Sequence, residues 1–188
     1  KFFWQLHRKY IVTPTERGMA IIDQHAAHER ILYERALKAM NEGFAYGQEL
    51  LFPVEMRATS AETALVRELF DDLRAMGFHL RVEQSDTVEI CGVPADVRTG
   101  REEDALRELL EQYREYNELR HTGARDNLAA SFGCRSAIRA GDALSFQEMR
   151  QLVEDLYAAD MPFACPHGRP TVIEISLAEF DKRFGRSS

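Results

Sequence analysis

Residues 19–34 read MAIIDQHAAHERILYE, and the reading of this stretch decides the fold. Its first four residues are apolar without a break, as in a short buried strand. From about 26 to 40 the apolar positions return at helical spacing, and Asn41, Glu42 and Gly43 stop the run. Asp23 stands where strand gives way to helix. Upstream, 2–13 is β-prone and aromatic-rich, and 14–18 (PTERG) reads as a turn. Together these segments predict a hairpin that delivers Asp23 at a strand end.

Downstream the order is mixed. A helix is expected over 60–76, opened by Ser60 with Thr63 as an imperfect capping box and closed by Gly77. Leu65, Leu69, Phe70, Leu73 and Met76 share its apolar face. Strands follow near 78–82 and 88–90. A charged amphipathic helix over 101–119 turns Leu106, Leu109, Leu110 and Tyr113 inward, and His121, Thr122 and Gly123 break it. A helix rich in small residues is expected over 126–140, ended by Gly141. Ser145 and Glu148 form a capping box for the next helix, whose core face is Met149, Leu152, Val153 and Leu156. A loop over 162–170, a strand over 171–175 and a helix over 177–184 complete an α/β (α+β) pattern.

The 188 residues suit one domain with a small insertion. A content of 45% apolar and 29% charged residues is that of a globular chain. The net charge of −7 argues against a free-standing electrostatic DNA binder, yet leaves room for a nuclease, whose metal site itself needs carboxylates. Three cysteines fit reduced thiols or metal ligands better than a disulfide framework. No apolar run is long enough to span a bilayer, so no membrane association is expected. There is no repeat and no P-loop. Because the chain starts at Lys1 rather than methionine, it is expected to be part of a longer protein.

Three clusters carry chemistry. In 23–34, His25 and Glu29 are four residues apart and share a helical face next to Asp23. A carboxylate, an imidazole and a second carboxylate converging there can bind a divalent transition metal. The plainer alternative is a capped amphipathic helix with an acidic start. Glu34 lies roughly 140° round the helix from Glu29, too far for a direct ligand and better suited to a supporting or surface position. His28 faces elsewhere. In 164–170 (ACPHGRP), Cys165 and His167 are two apart and can offer a thiolate and an imidazole to zinc, or else belong to a rigid turn with a buried thiol. In 132–139 (FGCRSAIR), Cys134 is either a small core residue or a ligand, and Arg135 and Arg139 are solvated surface or phosphate contacts.

In this order, the three segments resemble the C-terminal endonuclease domain of the MutL family of DNA mismatch-repair proteins. The likeness covers nearly the whole chain and extends to Phe184-Gly185-Arg186, similar to the family's Phe-x-Arg ending. It implies that Asp23, His25 and Glu29 are catalytic metal ligands, joined by Cys134, Cys165 and His167. Such a set can hold two ions with Glu29 placed to bridge. Gly133 departs from the family's more usual alanine, which weakens a helix by up to about 1 kcal/mol but removes no ligand. Zn²⁺ is expected to structure or regulate the site and Mn²⁺ or Mg²⁺ to activate it. Arg135, Arg169 and Arg186 are the candidates for contacting the DNA backbone.

A separate segment, QELLFP at 48–53, resembles the peptide by which such proteins dock on the replication sliding clamp. Gln48, Glu49, Leu50, Leu51, Phe52 and Pro53 would then form a docking peptide for a shallow apolar pocket, or otherwise an ordinary edge strand. Clamp docking would hold an acidic nuclease on double-stranded DNA through effective concentration. The resemblance further implies a homodimer, the mismatch sensor MutS as partner, an ATP-binding region N-terminal to this chain, and a bacterial, cytoplasmic, nucleoid-associated location. It divides the chain into a dimerisation and catalytic subdomain, 1–53 plus 124–188, and an inserted external regulatory subdomain, 54–123. The rival reading is a non-catalytic dimerisation and clamp-docking module with a structural zinc.

Overall fold

A computed structural model describes residues 2–43, 47–82, 86–120 and 122–186. His121, one of the expected helix breakers, lies outside the described residues. The chain forms two compact units, Lys1–Ile31 with Ala137–Ser188 and Leu32–Ser136. The expected 54–123 insertion falls wholly inside the second unit, which also takes in 32–53 and 124–136. Helix α5 (Ala124–Ser136) goes with that unit because Phe132 meets Phe78 edge-on, with ring centroids 6.4 Å apart.

In the first unit, β1 (Trp4–Leu6), β2 (Tyr10–Thr15), β3 (Gly18–Asp23) and β7 (Val172–Ser176) form an antiparallel sheet in the order β1-β2-β3-β7. The expected single aromatic stretch over 2–13 is itself a hairpin, turning at His7 and Arg8, whose φ angles are 50° and 51°. These left-handed residues match the twist of a tight hairpin. Gln24 also holds the turn: its backbone N–H donates to Lys9 O at 3.0 Å, and its Nε2 donates to Arg8 O at 2.8 Å. PTERG is shorter as a turn than expected, since Thr15 already pairs with Gly18. A side chain at Gly18 would collide with the backbone of Ile175, so glycine lets β3 and β7 approach.

One face of this sheet is core. Ile11 and Ile22 are paired directly across strands and are fully buried against Ala27 and Ile31 of α1 (Gln24–Glu42) and Met149, Leu152, Val153 and Leu156 of α6 (Phe146–Ala158). Ser145 caps α6 with Glu148 reciprocating, as the sequence predicts. The opposite face carries the row Trp4, Val12, Ile21 and Ile173 and a second row Pro14, Met19 and Ile175. Period-2 alternation would make this the polar face, yet it is apolar. Trp4 is 53% exposed and Ile173 53%.

In the second unit, β4 (Gly47–Arg57), β5 (His79–Val82) and β6 (Thr87–Pro94) form an antiparallel sheet in the order β4-β6-β5. The single helix expected over 60–76 is two, α2 (Ser60–Glu68) and α3 (Phe70–Met76), separated at Leu69. Its capping box lies one residue earlier than expected, formed by Thr59 and Glu62. Gly77, at φ 105°, closes α3. Helix α4 (Glu102–Leu119) buries Leu106, Leu109, Leu110 and Tyr113 as its periodicity requires. Both sheets are antiparallel, so the fold is α+β.

Candidate metal centre

The junction of β3 and α1 builds the site. Asp23 Oδ1 accepts from the backbone N–H groups of His25 and Ala26 at 2.9 and 3.0 Å, which makes Asp23 the cap of α1. The helix therefore starts at Gln24, two residues before the sequence estimate. His25 and Glu29 follow one turn apart on the same side. Glu29 is fully buried.

The 162–171 segment closes against this helix. Ala164 bridges to Pro170, Cys165 N–H donates to Arg169 O at 2.8 Å, and Gly168 N–H donates to Cys165 O at 2.8 Å. Two longer-range bonds hold the loop in place. Buried Arg30 donates from Nε to Ala164 O at 2.6 Å, and Asp23 N–H donates to Thr171 O at 2.9 Å. The tight loop thus brings Cys165 and His167 onto Glu29. The three donor atoms lie within 4.8 Å of one another. Ligands about 2.0–2.3 Å from a tetrahedral zinc stand about 3.3–3.8 Å apart, so small side-chain adjustments would seat an ion.

The electrostatics suit a cation. His167 Nδ1 lies 2.7 Å from Glu29 Oε1, and Arg169 Nη2 donates to Oε2 at 3.1 Å. Burial pushes the Glu29 carboxyl up, but hydrogen bonding and charge from His167, a bond from the Cys165 thiol and the Arg169 charge together outweigh it. Glu29 is held below the usual carboxylate range and stays ionised near neutrality. Oε1 is nevertheless buried without an aligned hydrogen bond among the described residues. A buried, ionised, incompletely satisfied oxygen beside a thiol and an imidazole fits a divalent ion with mixed hard and soft ligands.

Among the described residues, the converging donor group does not include the other candidates. Asp23 has Oδ1 committed to the helix cap. His25 donates from Nδ1 to Ile138 O at 2.9 Å. In the neutral ring this leaves Nε2 unprotonated, the arrangement that suits a metal-ligating histidine. Cys134 is half-buried on α5 in the other unit, and its ligand assignment rests on the resemblance alone. Glu34 is half-buried on the part of α1 within that unit. Arg135 Nε is buried without a hydrogen bond among the described residues. Arg169 keeps 59% of its side chain exposed while gripping Glu29. The exposed Arg186 lies over the Phe184 ring, 5.8 Å from its centroid.

Sequence reasoning missed three residues. His28 accepts the Ile138 N–H on Nδ1 at 3.0 Å, Arg30 supports the cysteine loop, and Gln24 is fully buried with its amide on the 138–142 segment. The i,i+3 spacing of His25 and His28 was the available signal for the first. The expected helix over 126–140 ends instead at Ser136, because these side chains take the backbone groups of Ile138 and Arg139.

The QELLFP segment lies on β4. Gly47, Gln48 and Glu49 pair with Pro94, Val93 and Gly92, and pairing resumes with Val54 opposite Ile90. Leu50, Leu51, Phe52 and Pro53 thus face the single residue Cys91 and leave the ladder. Leu51 is 87% and Phe52 79% exposed, an unusual state for large apolar side chains. At the root of the bulge, His79 Nδ1 lies 2.5 Å from Glu49 Oε1.

Fold and site together define an α+β domain with a candidate centre for a divalent metal. Residues 3–144 match the family model of the MutL C-terminal dimerisation domain. Three relatives named DNA mismatch repair protein MutL are similar over the chain. That of Chloroherpeton thalassium is 48% identical over 187 residues, covering 100% of this chain and 29% of the relative. That of Chlorobium limicola is 47% identical over 184 residues, 98% of this chain and 29% of the relative. That of Chlorobaculum tepidum is 46% identical over 184 residues, 98% of this chain and 30% of the relative. The chain belongs to the MutL C-terminal dimerisation domain family and spans less than a third of these relatives' length. No described helix is long and apolar enough to cross a membrane.

Proposed function

We propose that this domain is a metal-dependent endonuclease that nicks double-stranded DNA as a homodimer and is directed to its substrate by the sliding clamp. One observation carries the nuclease reading, the convergence of Glu29, Cys165 and His167 within 4.8 Å. Those three residues would hold the ion, with Asp23 and His25 on the same unit as further candidate ligands. A bound divalent ion supplies Lewis acidity and an activated water for phosphodiester hydrolysis, Zn²⁺ suiting the thiol and Mn²⁺ or Mg²⁺ the oxygens. The chain's own part is to keep Glu29 ionised, His25 in the tautomer with a bare Nε2, and Arg169 beside the centre to meet a phosphate. The apolar outer face of the β1-β2-β3-β7 sheet supports dimerisation, and the bulged, exposed 50–53 segment supports clamp docking. MutS and an ATP-binding region belong to this reading through the family likeness of the longer protein.

The test is nicking of supercoiled plasmid with Mn²⁺, wild type beside Asp23→Asn, with and without clamp. Nicking that disappears in the variant while the dimer persists is the expected result. A variant that nicks like wild type would remove the catalytic role of this motif. The rival reading, a non-catalytic dimerisation and clamp-docking module with a closed structural zinc, requires a fourth protein ligand beside Glu29, Cys165 and His167. That reading predicts a zinc-bound dimer that binds clamp and nicks under neither condition.

A further inference from the structure

Helix α1 presents two imidazoles, one turn apart, to a single residue of the 137–144 segment. His25 donates from Nδ1 to Ile138 O at 2.9 Å, and His28 accepts from Ile138 N–H on Nδ1 at 3.0 Å. The two backbone groups belong to different peptide planes, on either side of the Ile138 Cα. Binding both fixes both dihedral angles of that residue. The bonds also demand opposite states of the two rings, since a carbonyl only accepts and an amide N–H only donates. His25 must carry its proton on Nδ1. His28 must be bare at Nδ1.

From this geometry we propose that His28 is a positioning residue for the metal centre. By holding the Ile138 N–H, it keeps the Ile138 carbonyl on His25 Nδ1–H and so keeps His25 Nε2 available as a donor. The proposal rests on the reading of His25 as a ligand. Neighbouring bonds fix the rest of the segment. Gln24 Nε2 donates to Arg139 O at 3.1 Å, Gln5 Nε2 donates to Asp142 O at 2.9 Å, and the Ile138 side chain packs on the core. Loss of the His28 bond would therefore free the Ile138 peptide without unfolding the loop. Among the described residues, His28 Nδ1 is the acceptor for the Ile138 N–H.

The test reads the imidazole tautomers of the metal-free domain by nitrogen-15 NMR and measures Zn²⁺ affinity by competition with a chelator. Wild type should show His25 protonated on Nδ1. His28→Ala should shift His25 toward the Nε2-protonated form and weaken Zn²⁺ binding about 10-fold or more, the usual effect of losing a residue that orients a ligand. His28→Asn, whose Oδ1 offers an acceptor at similar reach, should keep both properties near wild type. An unchanged His25 tautomer in folded His28→Ala overturns the proposal, as does an Asn variant that behaves like Ala. Unchanged Zn²⁺ affinity in His25→Ala instead overturns the ligand assignment beneath it, even where the tautomer responds to His28.

Discussion

Trp4 stands on the open face of the β1-β2-β3-β7 sheet, aligned with Val12, Ile21 and Ile173. A tryptophan offers about 150–250 Å² for burial. With 53% still exposed, roughly 100 Å² per protomer remains for a partner to cover. At ~25 cal/mol per Å² this amounts to about 2.5 kcal/mol. Two-fold symmetry would use the same patch twice, giving ~5 kcal/mol for the dimer. Alanine keeps some of that contact, so Trp4→Ala should cost about 3–5 kcal/mol of association. Each 1.4 kcal/mol is tenfold, which makes the dimer on the order of 100- to 4000-fold weaker. Sedimentation equilibrium across a dilution series reads the change directly, with circular dichroism to check the fold. Leu51→Ala, on the second unit, is the control and should leave association unchanged. A Trp4→Ala dimer as tight as wild type would refute the assignment of this face.

Other outcomes follow from the same structure. Glu29→Gln should destabilise the metal-free protein near neutrality, because the interactions of the ionised carboxylate with His167, Cys165 and Arg169 outweigh the burial of its charge. The same variant should lose most of the rise in melting temperature that Zn²⁺ gives wild type, and an equal rise would exclude Glu29 as a ligand. Gln48→Ala combined with Leu50→Ala should weaken clamp binding, measured by surface plasmon resonance, while nicking without clamp is unaffected; unaltered affinity would end the docking proposal. Acid should destabilise the second unit partly through Glu62. Burial raises its pKa, but bonds from Thr59 and the Arg107 charge outweigh this and hold it below its ordinary value of 4.5. A lowered folded-state pKa stabilises above the unfolded value and loses that stability as pH falls through the folded one. Glu62→Gln should therefore be less stable than wild type near neutrality by about 1 kcal/mol, with the gap closing as pH falls below 4.5 in urea titrations. A gap independent of pH would show that the carboxylate charge contributes nothing there.

Much of the local structure was legible because its causes are local. The capping box of Ser145 and Glu148, the inward face of α4 and the glycine that ends α3 are each settled within about one turn of chain. The errors arose where a distant group intervened. The helix after residue 123 stops at Ser136 because His25, His28 and Gln24, more than a hundred residues earlier, take the following backbone groups. The 2–13 stretch folds back on itself with its turn held partly by Gln24, again from outside the segment.

The candidate site divides in the same way. Residue chemistry was determined by sequence alone: a carboxylate one turn after an imidazole at a strand-to-helix junction, and a thiol two residues from another imidazole. Whether those groups meet was decided by tertiary structure. The Arg30 bond to Ala164 and the Asp23 bond to Thr171 set the cysteine loop on Glu29, while Asp23 spends one oxygen on the helix cap and His25 turns its Nδ1 to Ile138. Likewise, sequence named QELLFP as apolar and proline-ended, but only the slip between Glu49 and Val54 frees those side chains from the ladder. Spacing along the chain fixes which side chains share a face of one element. Convergence between elements depends on long-range hydrogen bonds and packing, which no short window of sequence contains.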